Sequence, residues 1–289
     1  MTNEEKIKIF KDNLQILSTR QHLTQQQKDL TVKSIAEVIC NDADYLKKFN
    51  EFLFNDELAL SYEDKISFCK NVCNSPLQKE IHSFLFIGSD EATPAGAHSK
   101  ISFIKNKYND LAFERFSKFV PNAKADYATS FKESCENVND GFCEFCILPI
   151  TSSSDGRLMS FYSLLDRYEL KICAVTDIED EDNSKTIRYA CVGRSCIDRF
   201  EKKNSKKEVI FEFLTVDSTN NALPLLLLCA KEADAEIVNV DSIPVEYSTH
   251  LHKFFFSFKI PSQNALFFRL LTALTQENLT PIGIYKEIL

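Results

Sequence analysis

Glycine and proline are missing from the beginning of this 289-residue chain: the first proline is Pro76 and the first glycine is Gly88. With neither breaker present, nothing interrupts a run of helices over residues 1–80. Long apolar runs are missing as well. None reaches the ~18 residues that a membrane-spanning helix needs. The opening Met1-Thr2-Asn3-Glu4-Glu5-Lys6 is polar and acidic, unlike a secretory signal. A cationic excess is also absent, since 34 Lys and Arg face 42 Asp and Glu for a net charge of −8. That balance disfavours nucleic acid and anionic membranes as partners. Together these absences predict a cytoplasmic protein.

Metal-ligand spacing is the next absence. Cys143 and Cys146 form a C-x-x-C pair, but inside Phe142-Cys143-Glu144-Phe145-Cys146-Ile147-Leu148, an apolar strand pattern. No second pair lies at zinc distance, although Cys69 and Cys73 are one helical turn apart. The ten cysteines therefore read as reduced, buried thiols acting as small hydrophobes. No metal site and no cofactor is expected. The share of hydrophobic residues, 44%, with 26% charged residues, suits a folded globular protein, and the length suits two or three domains.

What is present divides into three segments. In residues 1–80, Ile7, Phe10, Leu14 and Leu17 recur at helical spacing. Thr24 with Gln27 reads as a capping box, Asp42 as a cap ahead of Tyr45, Phe49 and Phe52, and Ser61 with Asp64 as a further cap ahead of Ile66, Cys69 and Val72. These predict four helices. Residues 82–198 alternate strand and helix, which predicts an α/β lobe. Its expected strands cover 83–87, 126–129, 144–150, 170–175 and 187–192, and its expected helices 99–108, 111–119, 130–139 and 157–168. Residues 208–289 read strand, helix, strand, strand, helix, strand, a ferredoxin-like βαββαβ order. Between the last two segments, 199–207 is a polar linker.

Two tracts carry a resemblance to the prephenate dehydratase family. Leu148-Pro149-Ile150-Thr151-Ser152-Ser153-Ser154-Asp155-Gly156 resembles its strand-end Pro-Ile-Glu-Asn-Ser-x-x-Gly signature. Thr186-Ile187-Arg188-Tyr189-Ala190-Cys191-Val192-Gly193 resembles its Thr-Arg-Phe strand. The resemblance implies a lobe like those of type II periplasmic binding proteins and, for 208–289, an ACT-like regulatory module ending in Ile282-Gly283-Ile284-Tyr285. In the family a second lobe lies between the two tracts. Here Thr151 and Ile187 are 36 positions apart, short of the ~50 residues a lobe needs to bury its own core.

The resemblance also implies site residues. Thr151 and Ser152 stand at the family's glutamate and asparagine positions, Ser153 at its serine. With Arg188 they would hold a carboxylate at the start of the helix expected from Arg157. Thr186, Arg188 and Ser153 would be the catalytic residues of an active enzyme, but Ile187 occupies the hydroxyl position and Thr186 is slipped by one residue, to the opposite strand face. The loop at 88–96 brings Asp90 and Glu91, which would repel a dicarboxylate. The acidic run from Asp177 to Asp182 reads as a solvated turn. In the ACT-like module, Asp217, Asn220, Asn221, Ala222, Leu223, Asp241 and Ser242 would line an amino-acid site at a homodimer interface, with Ile243 where the family has arginine.

The leading expectation is a non-catalytic relative: a dimeric protein that senses a small molecule, an amino acid in particular, or serves interaction. Two other readings stay open. One is an active prephenate dehydratase, converting prephenate to phenylpyruvate in phenylalanine biosynthesis, with the N-terminal helices closing the cleft. The other is a scaffold whose helical segment binds a protein partner.

Overall fold

The structure is a computed structural model that describes residues 3–19, 30–34, 61–74, 99–180, 185–194, 208–217, 222–245, 251–275 and 279–288. The expected strand at 83–87, the loop at 88–96 with Asp90 and Glu91, the caps at Thr24 and Asp42, the linker at 199–207, and Asn220 and Asn221 lie outside these residues. The chain divides into two compact units, each discontinuous in sequence.

One unit comprises Met1–Leu85, Thr219–Asp234 and Gln263–Leu279. Its described elements are helical: α1 (Asn3–Thr19), a turn of helix at 30–34, α2 (Tyr62–Cys73), α6 (Ala222–Glu232) and α7 (Ala265–Thr275). Ser61 and Asp64 close the reciprocal capping box expected of them. Helix α7 packs against α2 and α6. In α6 the buried stripe is Leu226, Cys229 and Ala230, whereas Leu225, Leu227 and Leu228 are 37–45% exposed. One 3.6-residue stripe takes only part of an unbroken leucine run.

The other unit comprises Phe86–Ser218, Ala235–Ser262 and Thr280–Leu289. Its strands are β1 (Lys100–Ile104), β2 (Lys124–Ala128), β3 (Phe145–Ser152), β4 (Gly156–Arg157), β5 (Lys171–Glu179), β6 (Thr186–Gly193), β7 (Glu208–Asp217), β8 (Glu236–Pro244), β9 (His252–Pro261) and β10 (Thr280–Tyr285). Its helices are α3 (Lys107–Ser117), α4 (Phe131–Asn139) and α5 (Met159–Arg167). The ten strands form one mixed sheet in the order β2-β1-β3-β6-β5-β10-β7-β9-β8, with β4 on the end of β3. The stretch β10-β7-β9-β8 is the ferredoxin-like arrangement that the βαββαβ order predicts. Strand β10 also pairs in parallel with β5, so the two expected strand regions share one sheet.

Alternation along β3 feeds both faces. Cys146 and Leu148 join Cys135, Val138, Tyr162 and Leu165 in one core. Phe145 and Ile147 join Ile101, Phe103, Ala112 and Phe116 in the other. A strand covered on both faces reads as a continuous apolar run, as this one does. Each fully buried side chain of this size contributes ~1.5–3 kcal/mol.

Two boundaries differ from expectation. The helix expected at 99–108 is strand β1 followed by α3. Ile101 and Phe103 alternate with Ser102, a period of two, and Asn106 then caps α3 by accepting from the Asn109 N–H. The helix expected from Arg157 starts at Met159, because Gly156 (φ +70°) turns the chain back and Arg157 pairs with Thr151. At the sheet's junction a Cβ on Gly283 would stand 2.9 Å from Ile172 Cβ and 3.0 Å from the Tyr285 ring. Gly283→Val should therefore cost ~1–3 kcal/mol, as overpacking typically does. Urea unfolding should show it as a lower midpoint with unchanged slope.

Candidate functional site

The Thr151–Gly156 tract is a hairpin tip, not a helix start. Its serine hydroxyls are engaged with one another, with Asp155 and with β6. The Ser153 N–H donates to the Thr186 carbonyl at 2.9 Å, and the Thr186 N–H donates back to Ser153 Oγ at 3.0 Å. Ser152 is buried and its Oγ lies 2.9 Å from Ser154 Oγ, which in turn donates to Asp155. The helix that follows has Leu158 at its N-cap and no side-chain cap. The expectation of an anion held at a helix N-terminus beside these serines is thus corrected, for the tract ends in β4. The hairpin still brings Thr151, Ser152 and Ser153 beside Arg188, since Thr151 pairs with Arg188 and Ser152 with Ile187.

Arg188 is the centre of an ion cluster. Its Nε and Nη2 donate to the two oxygens of Asp177 at 2.8 and 2.9 Å, a bidentate fork. Its Nη1 lies 2.9 Å from Glu287 Oε1. The bond to Asp177 raises the guanidinium pKa further above its ordinary value, against burial. Asp177 and Glu179 are therefore strand residues, and Asp177 is an ion-pair partner; the solvated-turn reading is corrected for both. Thr186 faces Glu179 across the β5–β6 hairpin.

Beside this cluster lies a cavity of about 280 Å³ lined by Arg115, Val175, Thr176, Asp177, Glu179, Arg188, Glu287 and Ile288. It sits where β5 ends and the chain leaves β10, tied by the Ile288 N–H to the Val175 carbonyl at 2.9 Å. Crevices at the carboxyl ends of sheet strands are where α/β proteins place ligands. Sequence reading missed Arg115 and Glu287. The only available signal for Arg115 was its isolation, with Arg20 the sole arginine before it.

In the ferredoxin-like strands, Asp217 pairs with His252 and Ser242 with Phe254 in register. Ala222 and Leu223 open α6. Asp241 is engaged: it accepts from Asn239 at 2.8 Å and forms an ion pair with Arg157, Nε to Oδ2 3.2 Å. Arg157 also donates from Nη2 to Ser257 Oγ at 2.6 Å, and its guanidinium lies over the Tyr162 ring at 4.7 Å. Tyr285 donates to buried Glu212 at 2.5 Å. Burial works against the charge on Arg157, yet Glu212, Tyr162 and Asp241 more than offset it and hold its pKa up. The hairpin is thus anchored to β8 and β9 through a residue that stands immediately after the glycine of the sequence tract.

Among the described residues, burial raises the pKa of the Cys69, Cys73, Cys191 and Cys229 thiols, which disfavours the nucleophilic thiolate. Burial, with Asp126 nearby, pushes Cys143 up to about 12. Among the described residues no group of His, Cys, Asp and Glu side chains is arranged to hold a metal ion, and no helix is long and apolar enough to cross a membrane.

No protein-family model matches the sequence, and no curated protein matches it. Among solved structures, prephenate dehydratase from Streptococcus mutans is similar with a TM-score of 0.54 at 17% identity, over 66% of this chain and 99% of that one. The fold is prephenate dehydratase-like. Also similar are GqqA, a quorum quenching acylase (TM-score 0.49, 19% identity, 65% of this chain and 95% of that one), and the Arthrobacter aurescens prephenate dehydratase in complex with L-Phe (0.47, 12%, 64% and 89%). At such identities the prephenate dehydratase likeness establishes fold alone.

Removing Arg157 leaves Asp241 and buried Glu212 without their cation. Breaking a buried pair from one side typically costs ~3–5 kcal/mol. Arg157→Met should lower stability in urea by about that amount, and Arg157→Lys should lose less.

Proposed function

We propose that the chain is a prephenate dehydratase relative without efficient dehydratase activity, a dimeric protein that binds a small molecule. The observation that carries this is Arg188. It is the part of the family's Thr-Arg pair that the sequence retains, and both sides of its guanidinium are occupied by carboxylates, Asp177 and Glu287. Isoleucine at 187 offers no proton to a leaving hydroxyl. Among the described residues, the elements between β3 and β6 are β4, α5 and β5, which supports the reading that the family's second lobe is lacking here. A dicarboxylate entering beside Arg188 would also meet three carboxylates already in place, Asp177, Glu179 and Glu287.

Loss of a positioned general acid alone typically costs ~10²–10⁴ in rate. Purified protein given prephenate should release phenylpyruvate no faster than the uncatalysed reaction does. Turnover in the usual enzyme range, abolished by Arg188→Ala, would reverse the reading.

Dimerisation is supported by the end of the sheet. Strand β8 is last in the strand order, and Ile237, Val238 and Val240 on it are 36–52% exposed. An apolar edge of this kind invites pairing. Light scattering at micromolar concentration should give twice the 33.1 kDa chain mass, and Val238→Lys should shift the mass towards one chain. A monomer in the unaltered protein would contradict the dimer.

A further inference from the structure

We propose that the 280 Å³ cavity beside β5 binds a small zwitterion, with its carboxylate on Arg115 and its ammonium on Glu179. The proposal rests on the reading of the chain as a small-molecule-binding protein and names the ligand class.

Two arginines line the cavity, and they differ in one respect. The fork of Arg188 is closed by Asp177 and Glu287. Arg115 makes two hydrogen bonds, both from Nη1 and both to uncharged acceptors: Thr176 Oγ1 at 2.9 Å and the Asp177 carbonyl at 2.8 Å. Among the described residues it has no carboxylate partner, and its Nε and Nη2 make no hydrogen bond. The two bonds hold the half-buried guanidinium in place and leave one edge of the fork open. A fork held in that way suits a carboxylate, because its ordering cost is met by Thr176 and the backbone before the ligand arrives.

The charges around Arg115 limit what that carboxylate can belong to. Arg115 and Arg188 face Asp177, Glu179 and Glu287 in the lining, so the cavity is negative before a ligand enters. A dianion is repelled. Glu179, the last residue of β5, is exposed and has no side-chain partner among the described residues. An unpaired surface glutamate is ordinary by itself. Here it shares a cavity with an unpaired arginine, and together they present one positive and one negative group. Val175 and Ile288, 0% and 8% exposed, add an apolar wall. Small-molecule pockets run to ~300–1,000 Å³, so a cavity just under that range takes a ligand the size of a small amino acid.

The test is calorimetry on the full chain with four probes: L-valine, isovalerate (carboxylate alone), isobutylamine (ammonium alone) and succinate (two carboxylates). L-Valine should bind at least ~10-fold more tightly than the other three, each of which lacks one charge-assisted contact or adds a repelling charge; that difference is ~1.4 kcal/mol. Arg115→Gln should abolish valine binding, and Arg115→Lys should retain part of it. Glu179→Gln should weaken valine by ~10-fold while tightening isovalerate, because it removes a repelling charge. That opposite response is one that general unfolding cannot produce. Equal binding of valine and isovalerate, both dependent on Arg115, would overturn the zwitterion assignment and leave small-molecule binding standing. Valine binding lost on Asp241→Asn but unchanged by Arg115→Gln would place the ligand elsewhere and overturn the site. No Arg115-dependent binding of any probe would overturn both the site and the small-molecule reading, whereas phenylpyruvate release would overturn only the claim of lost catalysis.

Discussion

The parallel pairing of β5 with β10 is the constraint on which the larger unit depends. It joins the α/β strands to the ferredoxin-like strands as one sheet. The approach is close enough that only a residue without a side chain fits at position 283. Past that point the contact continues through one bridge between Val175 and Glu287 and the Ile288 N–H bond to the Val175 carbonyl. The same pairing brings Glu287 to Arg188 and to the lining of the cavity.

Arginines divide the electrostatic work around this junction. Arg188 holds Asp177 and Glu287, and Arg157 reaches from the β4 hairpin to Asp241 and Ser257. The Arg188–Asp177 pair is 28% and 44% exposed, so its net contribution to stability is small. Its consequence is geometric, because an occupied guanidinium cannot also clamp a substrate. Arg157 is different. Its side chain is only 9% exposed, and the polar groups around it are withdrawn from water, so its removal strands charge in the interior. One arginine is thus closed off by carboxylates beside the cavity, and the other is held mainly in the interior.

Much of the architecture was legible in the residues. The alternation in β1 was misread, but the strand at 145–152, the helix at 131–139 and the βαββαβ order followed from apolar periodicity and cap residues, since those patterns act over a few positions. The hairpin tip was misread for a physical reason. Serines ahead of a helix and serines in a strand-end turn look alike, and the decision lay with a left-handed glycine and with Thr186, more than thirty positions away.

Composition and periodicity by themselves determined most of the strands and that the described thiols are largely buried; the tract around Ile187 and Arg188 was marked only by its resemblance to a family signature. They could not determine what Arg188 touches. Asp177 is eleven positions away and Glu287 about a hundred, and the latter arrives only because β10 docks on β5. Whether an arginine is open or occupied depends on which carboxylates the chain's long-range pairing places within ~4 Å of it. No local pattern encodes that distance, and so the open fork of Arg115 became visible only in the tertiary structure.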